Sequence, residues 1–496
     1  TLDAAMPTGA TDVAREVGRL HAELVAEVGT PPPATGPGAL WRLVDAAATA
    51  LAAAACAPSD ERPPGVIVID DMQWIDRSSL AVLDHLSRRL GGNPVCLVVS
   101  WRTDLVGRGH PLRRLVADLA RRQLVRQLPL QRLDLEAVQA LRAALAGSRP
   151  DAPPAEDVLD ATEGIARLVV EQFTAPWHDR DDGGADPERC PVRRPLERAG
   201  PLARQVLEAA VVIGGPSSRA TLRHVSGRTV EETAAAVDEL VDRRLLSGDE
   251  PAYEVASSRV RADVLGAMTP LRLARLHGRV AAVLERGTRQ HRPAPEVTVA
   301  LAAHHAAAGD RSAAARWYQR AGDDAAAVLA VPEAIDHHQR ALALGHDRPQ
   351  RCHESLGDLH RLAGRDGVAL AEYETAAAMT HDDHVAVLEH KIGRLHLDAG
   401  RCELAAEHLE AAMSALENLP PGDAVRVAAV VATDLGVTAR CLGDHDRAAK
   451  LAAEALSAAD KAGDRGAQAR AHNLVGILCR DDLAAARAHL EQALDL

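Results

Sequence analysis

Aromatic residues are almost absent: one Phe, three Tyr and five Trp in 496 residues, 2% of the chain. An all-β core built on aromatic cross-strand pairs fits that poorly. The apolar 47%, mostly Ala, Leu and Val, favours closely packed helices. Lysine is nearly as scarce, with Lys391, Lys450 and Lys461 the only three. A GxxxxGK[ST] phosphate loop is therefore excluded between Thr1 and His390, because that loop needs a lysine to neutralise the phosphates its amides cradle. The seven cysteines (Cys56, Cys96, Cys190, Cys352, Cys402, Cys441, Cys479) are odd in number, dispersed and without a CxxC. That argues against a zinc site or disulfide framework and for a reducing cytoplasm. Long apolar runs are missing too. The stretch from Leu43 to Ala57 is alanine-rich, contains Asp45 and is too short to cross a bilayer. Asp3, Asp12, Glu16, Glu23 and Glu27 speak against a signal peptide. The expected location is the cytoplasm, with no membrane contact.

What is present is acidic. A net charge of -13 opposes the phosphate backbone of nucleic acids, so proteins or small molecules are the expected partners. Length allows about three domains. From about 36 to 173, short apolar runs alternate with amphipathic helices. Val66-Ile67-Val68-Ile69 reads as a strand buried on both faces, followed by a helix with Leu83, Leu86 and Leu90 on one side. Gly91-Gly92-Asn93-Pro94 breaks the chain before a second buried strand, Val95 to Ser100. Leu112, Leu115, Val116 and Leu119 then mark an amphipathic helix. A third strand is expected near Leu124 to Leu128, and a helix from about Asp134, which makes βαβαβ. Residues 175–200, rich in Pro, Gly, Asp and Arg, read as a linker. Residues 201–290 suit a winged-helix module, with helices at 201–213, 217–226 and 229–246, a wing at Tyr253 to Val255, and two more helices to Glu285. From 291 to 496 the chain reads as tetratricopeptide-type helical repeats, with Gly364, Gly400 and Gly443 at the turns. Ala371, Tyr373 and Ala376, then Ala405, Ala406, Leu409 and Ala412, supply the small and large residues of the second helices. Stacked helix pairs present a groove suited to proteins or peptides. Because the chain opens on Thr1 and stops at Leu496 inside a repeat, both ends read as cut.

The strongest chemical signal is Val66-Ile67-Val68-Ile69-Asp70-Asp71-Met72-Gln73-Trp74-Ile75-Asp76. Carboxylates at the C-terminal tip of a strand sit at the ligand edge of an α/β sheet. There Asp70 can hold Mg²⁺ through water, and Asp71 can orient or deprotonate an attacking water. The bland alternative is that both acids merely end a strand while Asp76 caps the next helix.

With Gln73-Trp74-Ile75-Asp76-Arg77-Ser78-Ser79-Leu80 added, the segment resembles the extended Walker B of STAND-class AAA-type ATPases. These include large ATP-binding LuxR-type regulators and related actinobacterial multidomain regulators. Val98-Val99-Ser100-Trp101-Arg102-Thr103-Asp104 resembles their sensor 1 strand and arginine, and His110-Pro111-Leu112-Arg113-Arg114-Leu115 the helix after it. Tyr253-Glu254-Val255 through Pro270 to Leu276-His277 resembles the winged-helix end. The resemblance implies a fold that is mainly α with an α/β part: an incomplete P-loop-NTPase-like parallel sheet (1–174), a winged-helix domain (201–290) and a tetratricopeptide-type α-solenoid (291–496). It also implies ATP or ADP with Mg²⁺ as cofactors, Asp70 and Asp71 at the nucleotide, and Arg102 as the phosphate-sensing residue. The P-loop is expected ahead of Thr1, and a DNA-binding output domain beyond Leu496. The parent protein is then an ATP hydrolase and signalling or transcriptional switch, inactive as an enzyme in this chain alone. An inducer or partner on the repeats and the nucleotide state would control opening and self-association.

Two positions depart from the family pattern. Gly164-Ile165-Ala166 stands where Gly-Asn-Pro is usual, and Ser257 where a histidine is usual. Rival readings are a nucleotide-free repeat scaffold with a degenerate ATPase domain and the regulatory part of a nucleotidyl cyclase. Direct DNA binding by the winged helix is opposed by Glu231, Glu232, Asp238, Glu239 and Asp242 on its third helix. The arginines from Arg102 to Arg126 read as a solvated face apart from Arg102 itself. His304-His305, His337-His338 and the 381–384 stretch read as packing or solvated histidines, since adjacent helical residues point about 100° apart.

Overall fold

A computed structural model describes residues 10–20, 25, 28–31, 38–55, 65–89, 95–103, 105–107, 109–146, 152–174, 199–243, 245–250, 252–256, 258–288, 292–380, 384–479 and 482–496. The expected linker falls almost wholly outside the described residues, as do Pro63-Pro64, Leu90, the Gly91 to Pro94 breaker, Asp104, Ser257 and residues 381–383. The chain is mainly α with a small α/β part. It divides into two compact units, one of residues 1–115, 294–302 and 311–496, the other of 116–293 and 303–310.

In the first unit, α1 (Ala10–Gly18) and α2 (Ala39–Ala55) precede β1 (Gly65–Ile69), α3 (Arg77–Arg89) and β2 (Val95–Val99). The strands pair in parallel, Gly65 opposite Val95 and Ile69 opposite Val99. Helix α2 lies tight against the start of β1. A Cβ at Gly65 would sit 2.0 Å from the Ala55 carbonyl oxygen, so only glycine admits that approach. Leu43, Val44, Leu83 and Leu86 are buried in the helical layer.

Two expectations about the sheet are corrected. The strands are not buried on both faces: Val66 is 59% and Val68 67% exposed, and Val98 is exposed with them. Ile67, Ile69, Leu97 and Val99 occupy the covered side, and no layer covers the other among the described residues. The third strand near Leu124 to Leu128 is also absent, and residues 124–134 are irregular. Leu124 N–H closes the preceding helix on Leu119 O (3.0 Å), and Leu133 N–H donates to Gly164 O (2.7 Å). Pro129 between them has no N–H to give a ladder.

The second unit takes in most of α4 (Pro111–Arg121), then α5 (Leu135–Ala146), α6 (Ala155–Thr162) and α7 (Ala166–Thr174), followed by α8 (Pro201–Ile213), α9 (Arg219–Ser226) and α10 (Val230–Asp242). Local chemistry sets the helix starts. Ser218 Oγ accepts from Thr221 N–H (3.2 Å), and Thr229 with Glu232 forms a reciprocal capping box (3.2 and 3.0 Å). Helix α10 ends before residue 246 because β3 (Leu246–Ser247) pairs antiparallel with β4 (Glu254–Val255). Leu207, Leu222, Leu240 and Tyr253 form the core, and α11 (Ser258–Ala267) and α12 (Pro270–Gly287) follow.

After α13 (Pro295–Ala308), the helical hairpins pair α14 (Arg311–Ala327) with α15 (Val331–Ala343), α16 (Pro349–Leu362) with α17 (Asp366–Ala378), and α18 (Val385–Asp398) with α19 (Cys402–Ser414). Then α20 (Pro421–Cys441) pairs with α21 (His445–Ala462), and α22 (Arg465–Leu478) with α23 (Leu483–Asp495). Gly364, Gly400 and Gly443 do close first helices, with φ of 68°, 71° and 83°. The following N–H reaches back to the carbonyl of His360, His396 or Ala439 at 2.9 Å each, a Schellman-type closure. A second glycine series was not anticipated. Gly357 and Gly393 lie where a Cβ would meet the Tyr373 ring at 2.4 Å and Leu409 at 2.8 Å. The small residue buried beside Tyr373 is Ala369, not Ala371, which is exposed.

The two series respond differently to the same change. Gly357→Ala forces a methyl into the Tyr373 ring and is expected to cost roughly 2–3 kcal/mol. Gly364→Ala meets open space and is expected to cost only the left-handed strain, about 1 kcal/mol. Urea unfolding of both variants checks this, and equal losses would refute the close-packing role.

Candidate functional site

The parallel pairing of β1 and β2 continues past the strand ends. Ser100 N–H donates to Ile69 O (3.0 Å) and Met72 N–H donates to Ser100 O (2.9 Å). Asp70 and Asp71 are thereby held beside Ser100, with Arg102 two residues further on. Ser100 Oγ donates to Asp70 Oδ1. Asp71 N–H donates to both Asp70 Oδ1 and Ser100 Oγ, at 3.1 Å each. Asp71 adopts φ 55°, ψ 42°, a left-handed conformation that few residues other than Gly, Asn and Asp tolerate. It launches the 3₁₀ turn Met72–Trp74.

Asp70, Asp71 and Arg102 are exposed at these two strand ends. Asp76 does cap α3, accepting from Ser79 N–H (2.7 Å), so the bland assignment holds for that residue. Two site residues were missed. Ser100 looked like the end of a strand, and Gln73 looked like part of a motif without a task. Gln73 is buried, donates from Nε2 to Asp71 Oδ1 (2.8 Å) and accepts the Arg102 N–H (3.0 Å). Beyond β2, Arg113 at the start of α4 donates to Val106 O (2.8 Å) and Thr103 O (3.3 Å), which fixes the loop leaving the site. Gly164, at the departure from Gly-Asn-Pro, has φ 72°, and a Cβ there would lie 2.2 Å from Leu133 O.

The site is also tied to the repeats. Glu333, in the first turn of α15, accepts from the Arg77 N–H (2.9 Å) and the Ser78 hydroxyl (2.6 Å). A carboxylate at a helix N-terminus satisfies orphan amides and meets the positive end of the dipole. Buried Leu329 packs with Ala39 and Leu43 of α2 beside it.

Further along, the first helices of successive hairpins share a ladder of paired charges. Lys391 Nζ donates to Glu354 (2.8 Å) and Asp358 (2.7 Å), and the Tyr373 hydroxyl donates to Asp358 (2.6 Å). His384 pairs with Glu354 (2.9 Å), while Arg394 (2.6 Å) and His390 (2.8 Å) meet the buried Asp434. Burial pushes the Glu354 carboxyl up, but hydrogen bonds and charge from His384 and Lys391 outweigh it and hold it down at about 2. Each buried charge here is paired, as desolvation requires.

Residues 2–99 match the family model described as AAA ATPase domain, and the match contains α2, β1, the two acids and β2. The N-terminal region is similar to an AAA ATPase domain. The STAND-class resemblance carried by the Asp70 to Leu80 segment falls on this domain. Among solved structures, the chain is similar to a Signal Transduction ATPase with Numerous Domains protein with a tetratricopeptide repeat sensor, from Pyrococcus horikoshii. Identity is 12% and the TM-score 0.49, over 93% of this chain and 64% of that one. The chain thus spans just under two thirds of that protein's length. It is also similar to aspartyl phosphate phosphatase F from Bacillus subtilis (12% identity, TM-score 0.36, 60% and 83% covered). A third likeness is to BtubC from P. vanneervenii (20%, 0.31, 46% and 91%). With TM-scores below 0.5, these likenesses add no argument of their own. No curated protein matches the chain. Among the described residues, no helix is long and apolar enough to cross a membrane.

The Glu354 pairing has a defined pH signature. A carboxyl held at about 2 against an ordinary 4.5 stabilises the fold fully above pH 4.5, and that contribution fades as pH falls toward 2. The urea-midpoint gap between the parent and Glu354→Gln should therefore narrow over that window. A gap that stays constant would mean that His384 and Lys391 do not hold this carboxylate.

Proposed function

We propose that the AAA ATPase domain serves a STAND-type signalling switch. In this reading residues 1–174 form an ATPase core, 175–200 a linker, 201–290 a winged-helix regulatory domain, and 291–496 a repeat array that takes a protein or small-molecule inducer. Nucleotide state then controls opening and self-association, with a transcriptional output carried by a separate DNA-binding domain. The observation that carries the reading is the union of Asp70, Asp71 and Arg102 at two adjacent parallel strand ends, at the ligand edge of the sheet. Glu333 adds support. A change in the first hairpin reaches α3, and so the acidic tip, through direct contacts.

ATP or ADP and Mg²⁺ are the proposed cofactors. The donor set fits: the Asp70 carboxylate with Ser100 Oγ offers hard oxygens. No group of three His, Cys, Asp or Glu able to hold an ion is present among the described residues. That suits a cation kept largely by water and phosphate. When bound, Mg²⁺ supplies charge neutralisation at the phosphates. Asp70 would hold the ion through water, Asp71 would align or deprotonate the attacking water, and Arg102 would answer to phosphate charge. Between Thr1 and His390 no lysine supplies the usual phosphate contact, and the second reading is a repeat scaffold whose α/β part binds no nucleotide.

Titration of the chain with a fluorescent ATP analogue separates the two. Weak, Mg²⁺-dependent binding is expected, with a Kd of about 1 mM or above, corresponding to only about 4 kcal/mol. Asp70→Ala should remove the Mg²⁺ dependence, while Asp71→Asn should keep binding; in a chain extended upstream to include a P-loop, Asp71→Asn should also lower turnover by roughly 10²-fold. Binding that ignores both Mg²⁺ and Asp70→Ala would sink the assignment. Micromolar affinity would show that other groups replace the lysine.

The acids of α10 are engaged within their own unit: Glu232 in the capping box, Asp238 with Arg219 (3.0 Å), and Glu239 with the Gly200 N–H (2.9 Å). They still present negative charge where a groove-reading helix needs positive. Fluorescence anisotropy with duplex DNA at physiological salt should give no retention by this chain. Tight, salt-sensitive binding would contradict that.

A further inference from the structure

We infer that Gln73 is the positioning residue of this site, its buried side-chain amide locking the Asp71 carboxylate and the Arg102 backbone into one unit. Gln73 is 8% exposed, between a strand tip and a turn whose other polar groups face solvent. A primary amide buried there must find partners for both ends, and it does. Nε2 donates to Asp71 Oδ1 at 2.8 Å, and Oε1 accepts the Arg102 N–H at 3.0 Å. The first bond orients a carboxylate on the loop after β1. The second fixes the main chain of the loop after β2.

Residue identity follows from the two polarities. Glutamate keeps the acceptor but sets a second negative charge against Asp71, with Asp70 also at hand. Methionine keeps the volume and loses both bonds. Asparagine has the right group on a stem one methylene shorter. Asp71 itself cannot relax freely, because its N–H is bound by Asp70 and Ser100 while its backbone is left-handed. Any shift of the β2 end therefore passes to the Asp71 carboxylate through Gln73. As a positioning role at the nucleotide, this rests on the reading proposed above. The bridge itself is measurable without nucleotide.

The test uses the full chain and the variants Gln73→Glu, Gln73→Met, Asp71→Asn and the double Gln73→Glu/Asp71→Asn. Urea midpoints are measured from pH 4 to 8, with amide exchange read at Arg102. Gln73→Glu should lose stability increasingly as pH rises, because two facing carboxylates ionise together. Gln73→Met should exchange the Arg102 amide about tenfold faster or more. In the double variant the polarity is swapped. The introduced amide at position 71 donates to the introduced carboxylate at position 73, which still accepts the Arg102 N–H. The pH slope then disappears, and Arg102 protection returns to within about twofold. A Gln73→Glu loss that is flat in pH, or one that Asp71→Asn fails to reverse, overturns the proposal. Mg²⁺-nucleotide binding by the parent chain is scored separately. A coupled pair in a chain that ignores nucleotide upholds the bridge and discards the nucleotide reading. Nucleotide binding without coupling does the opposite.

Discussion

The candidate site depends on hydrogen bonding that outlasts the strands. β1 and β2 run parallel for five residues, and Ser100 then extends the pairing by both its N–H and its C=O. Chain direction at that point brings the acids of one strand and the arginine of the other to the same edge. An antiparallel pair would have sent them to opposite ends. Gly65 allows α2 to approach β1, and α3 packs against α2, so the strand tips are presented on a supported platform. Everything proposed for Asp70, Asp71 and Arg102 follows from that edge.

The repeats work by a different constraint, closeness. Glycines at the contact points let neighbouring helices approach closely, while Glu354, Asp358 and Asp434 between the helices are paired with Lys391 and Arg394. Lys391 illustrates the balance. Burial alone would lower its pKa, but Asp358 and Glu354 hold the ammonium charged. Removing one partner would strand the others, so the ladder ties successive hairpins together more through the cost of breaking it than through net gain. Glu333 brings the same logic to the AAA ATPase domain, where a repeat carboxylate satisfies the first turn of α3.

Much of the site was legible because its chemistry is contiguous. Asp70 and Asp71 follow four apolar residues, and Arg102 follows the next such run, so strand-end placement could be read from pattern alone. Gln73 and Ser100 could not be read that way. Their bonds to the other strand end span 29 or 30 residues of chain, and a side-chain amide or hydroxyl carries no periodicity. The third strand failed for a related reason. Leu124 to Leu128 has strand-like composition, but Pro129 and the bond from Leu133 to Gly164 draw that backbone elsewhere. Burial was overestimated for Val66 and Val68, because an apolar run shows that a face can be covered without showing what covers it.

The sequence by itself determined the helical character, the turn glycines with their Schellman closures, the caps at Ser218 and Thr229, and the exclusion of a lysine-bearing phosphate loop between Thr1 and His390. These are local consequences of residue type, settled within a few positions of the chain. Only the tertiary structure decided which strand face is open, which glycines serve packing and not turning, and that a buried glutamine joins Asp71 to Arg102. Those outcomes depend on distances between segments far apart in the chain, which close packing and hydrogen-bond satisfaction fix only once the elements have met.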